Sequence, residues 1–204
     1  MGYKNSNDFS LDQSSGLLSI GSSGAGATTN FQGMNNYQVG CIYSSTASAT
    51  DANTTAETSL VGSGEGTITL PANFLVAGKT IRIRAEGHIA NLLTPTLRLR
   101  INLGSTLITD TGAQTLSAIT GTMRFIFESL ITCRTTGAGG TVFSQGEFRY
   151  FTSAVAMVGN DAVATAATTL DTTASNAIDF TATWGTASSS NTITCTNFII
   201  EVLV

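Results

Sequence analysis

From Gly66 to Leu103 polar and apolar positions alternate almost without a break: Thr67-Ile68-Thr69-Leu70, then Lys79-Thr80-Ile81-Arg82-Ile83-Arg84-Ala85-Glu86, then Thr96-Leu97-Arg98-Leu99-Arg100-Ile101-Asn102-Leu103. A period of two sends Ile81, Ile83 and Ala85, together with Leu97, Leu99, Ile101 and Leu103, to one side of a sheet. It sends Arg82, Arg84, Arg98 and Arg100 to the other. These are half-buried antiparallel strands.

The pattern continues through Thr106–Thr109, Thr122–Arg134, Thr141–Tyr150, Ala154–Val158, Ala177–Trp184 and Thr192–Val204. Turns separate the runs at Gly62-Ser63-Gly64, Ala77-Gly78, Leu103-Gly104-Ser105, Gly137–Gly140 and Gly185–Asn191. Ala162–Thr169 is alanine-rich without a helical stripe and reads as loop or edge strand. Eight to ten strands, two prolines and no long helix predict an all-β fold, an antiparallel jelly-roll-like β-sandwich. Ile178, Phe180 and Trp184 share a face and read as core. In the closing strand Phe198, Ile200, Val202 and Val204 face one way, and Ile199 and Leu203 the other. An outer strand apolar on both faces needs a covering partner, so Ile199 and Leu203 are the expected oligomer interface.

Residues 1–56 differ in kind. They are rich in Gly, Ser, Asn, Thr and Ala, with sparse apolar residues at Phe9, Leu11, Leu17, Leu18, Ile20 and Phe31. Such a stretch does not bury enough surface to fold alone. A flexible tail is one reading. An extended N-terminal attachment arm that orders on a partner is the other, with those six residues as the partner-binding set. Tyr37–Tyr43 reads as a first short strand, and the sandwich is expected over 57–204.

Hydrophobic residues make up 42% of the chain, enough for a core, but charged residues only 11%, against roughly 25% in an average soluble domain. A polar, weakly charged exterior fits a protein largely covered by neighbouring subunits. Nine basic residues and a net charge of −4 give no electrostatic footprint for nucleic acid. Arg82, Arg84, Arg98 and Arg100 would form a local basic patch if their strands paired, with Glu86 as the alternative partner. The apolar runs are too short to span a bilayer and the N-terminus resembles no signal core, so no membrane association is expected.

Cys41, Cys133 and Cys195 have no metal-ligand spacing, and one histidine does not complete a zinc cluster. They read as free thiols of a protein made in a reducing compartment, Cys133 and Cys195 within strands. His88, at a strand end, has no spacing that argues for an orienting carboxylate and nucleophile. Glu86, Glu128 and Glu147 would serve a glycosidase only if two converged, and Trp184 reads as core rather than as a sugar platform. Gly62-Ser63-Gly64-Glu65-Gly66 precedes a strand, not a helix, and so is a turn rather than a phosphate cradle. Asp51, Asp110, Asp161, Asp171 and Asp179 are scattered singly, unlike a calcium loop. No catalytic residue, metal or cofactor is expected.

The run Thr58-Ser59-Leu60-Val61-Gly62-Ser63-Gly64-Glu65-Gly66-Thr67-Ile68-Thr69-Leu70-Pro71-Ala72-Asn73-Phe74-Leu75, followed by Gly78-Lys79-Thr80-Ile81-Arg82-Ile83 and later Ile131-Thr132-Cys133-Arg134-Thr135-Thr136-Gly137, resembles a β module of virion proteins of tailed bacteriophages. The resemblance spans roughly residues 57–204. It implies a non-enzymatic structural protein of the virion, assembled in the host cytoplasm, jelly-roll-like and trimeric. The partners it implies are further copies of the chain and the major capsid protein or other virion proteins. The leading expectation is a head decoration or cement protein that stabilises the shell. The alternative is a tail-fibre or head-fibre module binding a host glycan through loops such as Gly112–Gly121 and Gly185–Asn191.

Overall fold

The structure is a computed structural model and describes residues 9–12, 17–20, 40–164 and 166–204. The chain divides into two compact units, residues 1–38 and 39–204. In the first, β1 (Phe9–Asp12) and β2 (Leu17–Ile20) form an antiparallel ladder, with Phe9 opposite Ile20, Leu11 opposite Leu18 and Asp12 opposite Leu17. Five of the six expected arm residues therefore lie in a two-stranded ribbon rather than an extended segment. Phe31 lies outside the described residues.

The second unit begins earlier than residue 57. Its strands are β3 (Gly40–Ser45), β4 (Ala49–Ala52), β5 (Thr58–Ser59), β6 (Gly64–Gly66), β7 (Thr69–Leu70), β8 (Thr80–Asn91), β9 (Thr96–Leu103), β10 (Thr106–Asp110), β11 (Gln114–Thr115), β12 (Ile119–Thr135), β13 (Thr141–Phe151), β14 (Met157–Val163), β15 (Thr168–Thr169), β16 (Asn176–Trp184) and β17 (Thr192–Val202). Residues 40–52 belong to the body because β3 and β4 both pair with β17. Their low hydrophobicity suits them to edge positions, where only Tyr43 of β3 and Asp51 of β4 are buried.

The body is an antiparallel β-sandwich. The larger sheet runs β14-β13-β12-β8-β17-β3-β6, with β15 on β13 and β4 on β17. The smaller runs β10-β9-β16-β5, with β11 on β9 and β7 on β16. The chain passes from β8 in the larger sheet to β9 and β10 in the smaller. It returns for β12 to β14, crosses again for β16, and ends on β17 in the larger.

The core lies between the sheets and obeys the alternation. Ile81, Ile83, Ala85, Leu97, Leu99, Ile101, Leu103, Ile178, Phe180 and Trp184 are all buried. Phe180 packs tilted 4.8 Å from Phe127 and stacks 6.1 Å from Phe198 (ring centroids), and these contacts join β16 to β12 and β17 across the interface. Cys133 and Cys195 are buried and all three thiols are free.

Two expectations change. The four arginines do not share a patch, because the β8–β9 connection crosses between sheets. Arg82 and Arg84 lie on the outer face of one sheet, Arg98 and Arg100 on the outer face of the other. The closing strand is not an outer strand either, since β17 lies between β8 and the β3/β4 edge. Phe198, Ile200 and Val202 are buried as expected, but Val204 extends past the ladder and is 41% exposed.

Candidate functional site

On the side of the sandwich where the β3/β6 edge approaches β16, a cleft of about 500 Å³ opens. The segment from Ser59 to Ile68 forms one wall. It is tied to β16 by Leu60 N–H donating to the Phe180 carbonyl at 2.7 Å and by Ile178 N–H donating to the Ile68 carbonyl at 2.8 Å. Tyr43 of β3 reaches in from the larger sheet, and its hydroxyl donates to the Gly62 carbonyl at 2.5 Å. Burial pushes the Tyr43 phenol above its usual pKa and keeps it a donor.

The polar feature of the cleft is Asp179, whose Oδ1 accepts a hydrogen bond from Ser59 Oγ at 2.6 Å. Ser59 Oγ in turn accepts from Val61 N–H at 3.3 Å. The remaining lining residues are apolar or small and include no histidine, lysine or cysteine. A serine that donates to a carboxylate, with no imidazole or amine between them, lacks the relay that activates a hydroxyl for attack. The arrangement can hold a polar group or a passing chain through the Asp179 carboxylate and the hydroxyls of Ser59, Ser63 and Tyr43. Ser59 and Asp179 are 120 residues apart, and the period of two marks Asp179 only as outward-facing.

The outer sheet faces carry the charge, in pairs. On the larger sheet Arg82 binds Glu201 through Nε at 2.8 Å, Arg84 binds Glu86 through Nε at 2.6 Å, and Arg124 Nη2 binds Glu86 at 2.6 Å. Burial acts to raise the Glu86 pKa, but the bonds and charges of Arg124 and Arg84 hold it below the usual carboxylate range. On the smaller sheet Arg98 binds Asp110, and Arg100 Nη1 binds Glu57 at 2.6 Å, whose other oxygen accepts from Thr181 Oγ1.

The expected interface residues sit within the larger face. Ile199 is half-buried, in register between Arg84 and Ser44. Leu203 follows β17, donates its N–H to the Thr80 carbonyl at 2.9 Å and is 38% exposed. With Leu130 (40% exposed) they are apolar positions interspersed among ion pairs rather than a continuous apolar flank.

His88 is exposed on β8, opposite Arg124 and Thr194, outside the cleft. Glu128 and Glu147 stand opposite one another on β12 and β13, each with an arginine: Arg84 at 3.6 Å from Glu128 and Arg149 at 2.7 Å from Glu147. Trp184 is fully buried. Among the described residues no group of three or more His, Cys, Asp or Glu is placed to hold a metal ion, and no helix is long and apolar enough to cross a membrane. No protein-family model, no curated protein and no solved structure matches the chain.

Proposed function

We propose that this chain is a structural protein of a bacteriophage virion, a decorating or cement protein that binds the head shell as a homo-oligomer. The observation that carries the reading is the division of the chain into a β-sandwich body and a separate small unit built on the β1–β2 ribbon. Among the described residues this ribbon has four residue pairs, with Phe9 opposite Ile20 and Leu11 opposite Leu18, and a lone two-stranded ribbon is marginal in water. A shell surface supplies the missing contact, at about 1.5–3 kcal/mol for each large apolar side chain buried, before ordering costs.

We read the sandwich as a jelly roll, on the strength of the repeated crossings between sheets. A protein partner is favoured over a glycan by the loops. Residues 112–121 and 185–191 contain no aromatic and no charged side chain, the groups that grip sugars. Leu92 and Leu93, on the β8–β9 crossing, are 68% and 78% exposed.

The test is to add the full chain, and the double variant Leu11→Ser with Leu18→Ser, to phage heads that lack this protein. The intact chain binds and raises the temperature at which the heads open, while the variant leaves them bare. An intact chain that does not bind overturns the reading. A variant that binds unchanged moves attachment from the ribbon to the sandwich.

A further inference from the structure

Asp51 is 1% exposed, and neither of its carboxyl oxygens has a hydrogen-bond partner among the described residues. It lies in β4, directly opposite Ile193 of β17, which is fully buried. Residues opposite one another on paired strands project to the same face, so Asp51 is turned into the sandwich. An ionised carboxylate only accepts hydrogen bonds and is not tolerated in an apolar interior without a cation or donors; it keeps its proton instead.

The groups around it supply little compensation. From β17 come Ile193 and Cys195, and burial pushes the Cys195 thiol up to about 11, so it stays neutral. From β5 comes Thr58, whose hydroxyl donates to the Ala56 carbonyl at 3.3 Å. Glu57, just before β5, is engaged with Arg100 and Thr181. On the outer side β4 is held by Thr50, whose hydroxyl bonds that of Thr194 at 2.9 Å. Beyond that, β4 rests on a ladder of only four residue pairs, Ala49–Cys195 to Ala52–Thr192.

We propose that Asp51 is a proton-operated latch: protonated, it lets β4 close the edge of β17, and on losing its proton to solvent it drives β4 off that edge and uncovers Cys195. Burial raises the Asp51 pKa above its ordinary 3.8, and the nearby Thr58 hydroxyl offsets this only in part. The closed form therefore binds the proton more tightly than the open or unfolded chain. Its advantage is full below the ordinary value. It is lost, by up to about tenfold in the opening constant per pH unit, as pH rises to the raised value, and stays lost above it.

The test uses the full chain with Asp51→Asn and Asp51→Leu. At pH 4 the wild type and variants melt together. At pH 8 the variants melt higher, and alkylation mapped by mass spectrometry labels Cys195 at least tenfold more slowly in them than in wild type, with Cys133 unchanged. The leucine variant keeps the test usable if the asparagine one fails to fold. Variants that melt below wild type at pH 8, or equal Cys195 labelling in all three proteins, overturn the latch.

Discussion

Asp110 stands opposite Arg100 in the β9–β10 ladder, yet it is the diagonal neighbour Arg98 that takes both of its oxygens. Arg98 Nε donates to Oδ1 at 2.8 Å and Nη2 donates to Oδ2, while Gly112 N–H adds a third donor to Oδ1 at 2.8 Å. The forked geometry of guanidinium explains the choice, since one planar group meets both oxygens.

This site sets a pH dependence opposite in sign to that of Asp51. Burial acts to raise the Asp110 pKa, but the bonds from Arg98 and Gly112 and the charges of Arg98 and Arg100 hold it below the ordinary value. Its contribution is present above the ordinary carboxylate range and is lost as pH falls through the lowered value. The pair is part-exposed, so Asp110→Asn is expected to cost only about 1 kcal/mol at pH 7. Urea unfolding at pH 7 and pH 2.5 checks it, because the difference from wild type should shrink at the lower pH.

Gly87 fixes the register of β8 on β17. A Cβ there would lie 1.9 Å from the Thr194 carbonyl oxygen, a backbone atom with no room to yield, beside the bulge between Cys195 and Asn197. Gly87→Ala is expected to destabilise the body by about 3 kcal/mol or more, in the range of severe overpacking. Thermal melting measures this, and a loss under 1 kcal/mol would show that the bulge can move.

The thiols should separate by burial. Cys41 is exposed, while burial raises the pKa of Cys133 and pushes that of Cys195 up to about 11. Native protein at pH 7 is expected to react with a thiol reagent at Cys41 and not at Cys133, and unfolded protein at all three cysteines. An intrachain disulfide in unreduced protein would contradict this.

Ile199 and Leu203 test the oligomer. Light scattering on the full chain is expected to give a trimer mass. Ile199→Asp with Leu203→Asp should shift it to monomer without lowering the melting temperature of the monomeric body below that of the dissociated wild type. A wild-type monomer at micromolar concentration, or a variant that stays trimeric, would remove these residues from the interface.

Much of the fold was legible in the sequence because side-chain direction in a strand is a local property. The alternation through Ile81, Ile83, Ala85 and through Leu97, Leu99, Ile101, Leu103 assigns each residue to the core face before any partner strand is known, and the structure buries all seven. The burial of Trp184 and Phe180 followed from the same reasoning, and that of Cys133 and Cys195 from the ordinary preference of free cysteine for an interior. The candidate site was not legible in this way. Asp179 marks itself only as an outward position, and nothing near it points to Ser59.

What the sequence by itself determined is therefore the all-β class, the long strands β8, β9, β12, β13, β16 and β17 and their inward residues. The tertiary structure decided which strands are neighbours. It separated Arg82 and Arg84 from Arg98 and Arg100 onto two sheets, and it moved the closing strand from the edge to the interior of the larger one. It also brought residues 49–52 against residues 192–195, leaving Asp51 buried opposite Ile193. Periodicity carries no address for the partner. Strand pairing between segments so far apart is set by how all the apolar faces are buried together, a property of the whole chain rather than of any window in it.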